Sequence, residues 1–189
     1  MKLVSKLLKR HPYRVPAHNL YVAASNQSRA PQLYEFYQIP DTLDGRFDSL
    51  VLHVFLILHR LRSQGEEALE LSHEIVDVLV ADMDRTLREM GIADVGVAKR
   101  VKRMLQAFYG RIGAYDAGLT EGDDALAEGL ARNVYRGTPP QPDVLAAFSA
   151  YVRRQWAHLD GLPLEDYMSG DAGFAAEFPG IGADTASAG

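Results

Sequence analysis

The run LVLHVFLIL at Leu50–Leu58 leaves this chain little choice of architecture. Within a helix predicted from about Arg46 to Arg62, Phe47, Leu50, Val51, Val54, Leu58 and Leu61 recur at helical spacing, and Leu52, Phe55, Leu56 and Ile57 widen the stripe almost all the way round. A helix apolar on most sides has to be surrounded by others, so it belongs at the centre of a bundle. It is not a membrane span: the run falls far short of the roughly 20 apolar residues that cross a bilayer, and His53 interrupts it. Ser49, His53 and Arg60 share the narrow polar strip, where His53 reads as a satisfied or partly exposed side chain rather than a ligand.

The helices that surround it are legible from spacing and punctuation. Ala17–Arg29 reads as a helix ended by Pro31, because the residue before a proline is pushed out of helical geometry. Pro31–Gln38 reads as a short helix whose Leu33, Tyr34, Phe36 and Tyr37 serve either core packing or an apolar partner surface, closed by the loop IPDTLDG with Asp44 as N-cap of the central helix. Two long helices follow, Glu66–Met90 and about Val95–Leu119, then a modestly amphipathic stretch Glu121–Tyr135 and the loop GTPPQP. A last firm helix starts near Asp143 and buries Leu145, Phe148, Val152, Trp156 and Leu159, with short helices expected around Leu164–Met168 and Ala172–Phe178. No internal repeat and no strand-like alternation is found. The expected fold is all-α, a single-domain irregular bundle of about six to eight helices. Residues 1–16 form a basic amphipathic N-terminal segment, 17–160 the helical domain and 161–189 an acidic, small-residue-rich tail.

The joint between the two long helices, Leu87–Arg111, is the most informative stretch. Gly91 suits the left-handed position that ends a helix, and Asp94 is placed to cap the next. The first helix carries an acidic stripe of Glu66, Glu70, Glu74, Asp77 and Asp84; the second turns Lys99, Lys102 and Arg103 outward while Arg100 and Arg111 border its apolar face. At about 100° per residue, Asp82 falls on the edge of the apolar side. A carboxylate there needs a partner, and the expected one is Arg100 or Arg111, or Arg85 or Arg88 nearby.

Composition narrows the chemistry. Among 189 residues there is no cysteine, which excludes disulfides and thiolate metal sites. The net charge of -5 conceals two ends of opposite sign, with no acid before Glu35 and no Lys or Arg after Arg154. The basic start is either an element for an anionic membrane surface or partner, or a first helix that frays or docks on the core. It lacks the longer apolar core and cleavage site of a secretory signal. Glu70 and His73 have the Glu-x-x-His spacing of di-iron bundles, but no second pair accompanies them, so no metal and no cofactor is expected. No nucleophile elbow or phosphate loop is present, and no catalytic residue is assigned. The alternative to a helical protein-binding module is a helix-turn-helix-like nucleic acid binder built on Lys99, Arg100, Lys102 and Arg103. Its exposed face lacks base-reading side chains, so specific DNA is not the expected partner.

The joint and the region before it resemble the ubiquinol-cytochrome c chaperones. The residues that carry the resemblance are Pro40, Asp41, Thr42, Asp44, Gly45, Arg46 and Phe47 ahead of His53. They continue as Asp82, Met83, Asp84, Leu87, Arg88, Glu89, Met90 and Gly91, then Asp94, Val97, Lys99, Val101, Lys102, Met104, Ala107, Phe108, Tyr109, Gly110 and Arg111. The resemblance covers roughly residues 21–115 and implies a non-enzymatic assembly factor for respiratory complex III that holds newly synthesised cytochrome b. With no recognisable transit peptide the chain looks like a bacterial member, which implies a cytoplasmic protein or one peripheral at the inner face of the cytoplasmic membrane. A ribosome or an anionic membrane is a further expected contact; the oligomeric state is left open. For partner binding the expected residues are Tyr34, Phe36, Tyr37, Lys99, Lys102, Arg103, Phe108 and Tyr109.

Overall fold

The computed structural model describes residues 12–178, and among them lie eight α-helices and no strand. They are α1 Arg14–Gln27, α2 Pro31–Glu35, α3 Leu43–Leu61, α4 Glu66–Glu89, α5 Asp94–Glu121, α6 Asp123–Asn133, α7 Pro142–Gly161 and α8 Leu164–Ser169. The basic start up to residue 11 and the tail from residue 179 lie outside the described residues.

Helix α3 is the axis, as its apolar girth requires. Every residue from Val51 to Ile57 is buried. Helices α1, α4, α5 and α7 touch it, and they in turn are joined round it by the α1–α4 and α4–α5 contacts and, through α6, from α5 to α7. Each large aliphatic or aromatic side chain removed from water in this way contributes about 1.5–3 kcal/mol.

The entry to α3 departs from expectation by two residues. Thr42, not Asp44, is the N-cap: its Oγ1 accepts the Gly45 N–H at 3.1 Å, while Asp44 sits in the first turn. There Asp44 favours the positive end of the helix dipole and meets Arg136 at 3.1 Å. Gly45 is required by space, because a Cβ there would run into the Pro40 carbonyl oxygen. Helix α1 likewise begins early, at Arg14 rather than Ala17, since Pro16 costs no hydrogen bond within a first turn.

Helix α2 stops at Glu35, short of Gln38. Gln38 adopts φ 56, and the Tyr37 and Ile39 N–H groups return to the carbonyls of Gln32 and Leu33. This turn swings Tyr37 inward. Ala172–Phe178, expected as a helix, has none. The Gln155 side chain instead exchanges two hydrogen bonds with the backbone of Ala175, at 2.8 and 2.9 Å. Phe178 stacks on Tyr151 at 5.3 Å, and Phe174 meets the edge of His53 at 5.3 Å. Residues 161–178 therefore pad the core instead of trailing from it.

The α4–α5 joint is tight. Gly91 has φ 78, with its N–H on the Arg88 carbonyl and that of Ile92 on Leu87. Asp94 is the first residue of α5, not its cap, and the cap position is Ala93. Its carboxylate is taken by Arg88, which also holds Asp84 at 2.6 Å, so one guanidinium ties the end of one helix to the start of the next.

Candidate partner-binding site

The residues expected to meet a partner separate into core and surface. Tyr37 is wholly buried against Phe148 and Tyr151, with ring centroids 5.4 Å from each. Phe108 is wholly buried too. Both are core residues, not surface ones: Tyr37 because of the turn at Gln38, and Phe108 because it lies in the direction of Val97 and Tyr115 on the inner face of α5. Tyr34 and Phe36 are half-buried; the Tyr34 hydroxyl donates to the Ser28 carbonyl at 2.7 Å, and Phe36 stands edge-on to Tyr37. Of the five aromatic candidates only Tyr109 is exposed, at 57%.

Lys99, Lys102 and Arg103 are exposed on α5. At about 100° per residue, Lys99, Lys102, Gln106 and Tyr109 share one outward strip, while Arg103 lies between that strip and the direction of Arg100, Ala107 and Arg111. The strip is basic with one aromatic ring.

Asp82 does find a cation, but not across the α4–α5 seam. It faces α1, where the Tyr21 hydroxyl donates to Oδ2 at 2.6 Å and Arg85, one turn on, takes Oδ1. Burial, then the hydrogen bond to Asp82, pushes the Tyr21 phenol upward. Arg100 and Arg111, expected as its partners, stand elsewhere because Asp82 lies on the opposite flank of α4 from them. Along the α1–α4 flank runs a groove of 880 Å³ whose lining includes Arg14, Val15, His18, Val22 and Arg29.

Arg111 meets a carboxylate that sequence reasoning passed over. Asp48, fully buried on α3, has Oδ1 2.7 Å from Arg111 Nη2, while Arg136 approaches Oδ2 through Nε at 3.0 Å and Nη2 at 2.9 Å. Burial raises the Asp48 carboxyl to about 6, against the pull of Arg111 and Arg136. The signal was available: an acid next to Phe47, one turn into an otherwise apolar helix, demands a cation. Arg111 also lies over the Phe47 ring at 5.8 Å.

His53 is buried and satisfied. Its Nδ1 lies 2.8 Å from the Ser49 carbonyl, which can only accept, so Nδ1 carries the proton and Nε2 accepts from the Tyr151 hydroxyl at 2.8 Å. Gln27 completes the relay by donating to Tyr151 at 2.9 Å. Burial lowers the His53 pKa to about 4, so the imidazole is neutral and structural. Glu70 and His73 are exposed, and among the described residues no three His, Cys, Asp or Glu side chains gather as a metal would need. No helix among them is long and apolar enough to cross a membrane.

A second groove, of 480 Å³, opens where the start of α3, the end of α4 and α5 converge. Met83, Leu87, Met90 and Met104 line it together with Phe47, and Arg100, Arg103, Arg111 and Arg136 also border it.

The molecule is an all-α bundle whose outward features are surfaces, a basic strip on α5 and an arginine-bordered groove beside it. The chain belongs to the ubiquinol-cytochrome c chaperone family, whose pattern it matches over residues 35–176. Over 155 residues, 82% of this chain, it is 29% identical to the ubiquinol-cytochrome-c reductase complex assembly factor 1 of Xenopus laevis, covering 78% of that protein. Against the Mus musculus protein of the same name the identity is 27%, and the chain spans only 52% of its length. The crystal structure of the Cbp3 homolog from Brucella abortus has the same fold, with a TM-score of 0.77 and 34% identity over 93% of this chain and 97% of that one.

Proposed function

We propose that this chain is a non-enzymatic chaperone for the assembly of ubiquinol-cytochrome c reductase, and that its client is newly synthesised cytochrome b. The observation that carries the reading is the family match over residues 35–176, supported by relatives named as assembly factors of that complex. The α5 strip of Lys99, Lys102 and Tyr109, with Arg103 beside it, is the client-facing surface, and half-buried Tyr34 and Phe36 are a secondary contact. Lysines and arginine there suit acidic loops of a membrane protein, anionic lipid heads or ribosomal RNA at the site of synthesis. The proposed place of that work is the cytoplasm, peripheral at the inner face of the cytoplasmic membrane.

The test is capture. Affinity-tagged chain is isolated from cells after pulse labelling, and labelled cytochrome b is expected to co-purify transiently and to decline during the chase. A K99E/K102E/Y109A variant is expected to lose that capture while remaining folded. Absence of cytochrome b from the parent chain's captured material, with the chain itself recovered, overturns the client assignment.

A further inference from the structure

We infer that the groove between α4 and α5 docks an amphipathic helix of a partner protein whose apolar stripe is bordered by carboxylates. The groove has two long walls. On α5, Arg100, Arg103, Met104, Ala107 and Arg111 line it, at helical spacings that keep them on one face. From the first to the last they span about 16 Å of helix axis, three turns. On α4, Met83, Thr86, Leu87 and Met90 form the facing wall at the spacings i, i+3, i+4 and i+7.

The floor is apolar and adaptable. Met83 and Leu87 are buried at its base, whereas Leu43 and Met90 stand at the lips with 56% and 53% of their surface in water. Three of the chain's five methionines line this one groove. Thioether side chains repack around different aliphatic shapes, which is why they are over-used on surfaces that receive helices.

Charge selects the occupant. Of the four arginines, Arg111 is committed to Asp48, and Arg136 to Asp44 and Asp48. Arg100 and Arg103 are exposed and have no ion pair among the described residues. Two free guanidiniums beside an apolar trough fit an apolar helix face flanked by Asp or Glu, since guanidinium grips carboxylate through paired hydrogen bonds. The trough is recessed, so it suits a rod laid into it more than a flat bilayer, and its thioether and aliphatic floor offers nothing to a phosphate backbone. A helix laid in a groove by i, i+3, i+4, i+7 anchors is the matching mode of recognition. The inference requires no particular partner and goes beyond the cytochrome b reading.

The experiment uses the full chain and two synthetic helical peptides sharing one leucine stripe, one bordered by Glu and the other by Lys. Fluorescence anisotropy is expected to show the Glu-bordered peptide binding at least tenfold more tightly. In methyl-labelled chain, the Met83, Met90 and Met104 resonances are expected to shift on binding while that of Met168 stays in place. An R100E/R103E variant, altered only at exposed positions, is expected to reverse the preference toward the Lys-bordered peptide. Equal affinity for the two peptides, no binding of either, or binding that leaves the three methionine methyls unmoved overturns the inference. So does displacement of the Glu-bordered peptide by phosphatidylglycerol vesicles that shift the same three methyls. Loss of cytochrome b capture in cells bears on the client assignment alone and leaves these outcomes unaffected.

Discussion

Arg111, on the fifth helix, reaches the buried carboxylate of Asp48 on the third at 2.7 Å, and Arg136 closes on the carboxylate's other oxygen at 2.9 Å. Three parts of the chain meet at that one acid: the central helix, the long basic helix and the connection after α6. Removing a single member leaves charge stranded in the core, whereas removing an opposed pair does not. Arg111→Met, which leaves the buried Asp48 carboxylate to Arg136 alone, is expected to cost about 3–5 kcal/mol in urea denaturation at neutral pH. The paired substitution Asp48→Leu with Arg111→Met is expected to recover most of that loss, since Arg136 is exposed enough to turn to water and Asp44. Additive losses in the double variant would contradict it.

The pH dependence of stability contains two opposed contributions. His53 is lowered from 6.5 to about 4, so the folded state sheds its proton early; the stability it contributes is full above pH 6.5 and is lost as pH falls toward 4. Asp48 is raised from 3.8 to about 6, so its contribution is full below pH 3.8 and is lost as pH rises through 6. Each is on the order of 3 kcal/mol at most. Relative to the parent chain, His53→Gln is expected to lose stability more steeply as pH rises from 4 to 6, and Asp48→Asn to gain it. Midpoints of urea unfolding across that range measure both slopes, and identical slopes in the two variants would contradict the assignments.

Phe108 and Tyr109 are neighbours in sequence and opposite in environment. Phe108→Ala is expected to lose about 3–5 kcal/mol, the cost of emptying a packed aromatic site. Tyr109→Ala is expected to change stability by less than about 0.5 kcal/mol. Thermal unfolding of the two variants settles the contrast, and a destabilised Tyr109→Ala would place that ring in the core.

The all-α bundle and its central helix follow from the apolar girth of Leu50–Leu58, and the turn at Gly91 follows from its glycine. Those are local properties, carried by spacing and by one residue's freedom of φ. What spacing does not carry is which of two nearby cap positions the backbone selects, hence Thr42 and Ala93 where Asp44 and Asp94 were expected. Nor does it carry a turn such as Gln38, which sends Tyr37 inward and so decides between core packing and a partner surface, both open for that aromatic patch. Partners across the bundle were least legible. Arg85 was among the partners expected for Asp82, but the bond of Asp82 to Tyr21 and the pairing of Arg111 with Asp48 were not, because both depend on how α1, α3, α4 and α5 are arranged round one another.

Service of this chain in the assembly of ubiquinol-cytochrome c reductase through cytochrome b is tested by deleting its gene in the host and recording reduced-minus-oxidised cytochrome spectra beside the activity of each respiratory complex. The expected result is loss of the b-type haem signal of that complex and of its activity, with the other complexes retained and the defect restored by the intact gene. A deletion strain with normal cytochrome b and full ubiquinol-cytochrome c reductase activity would contradict it.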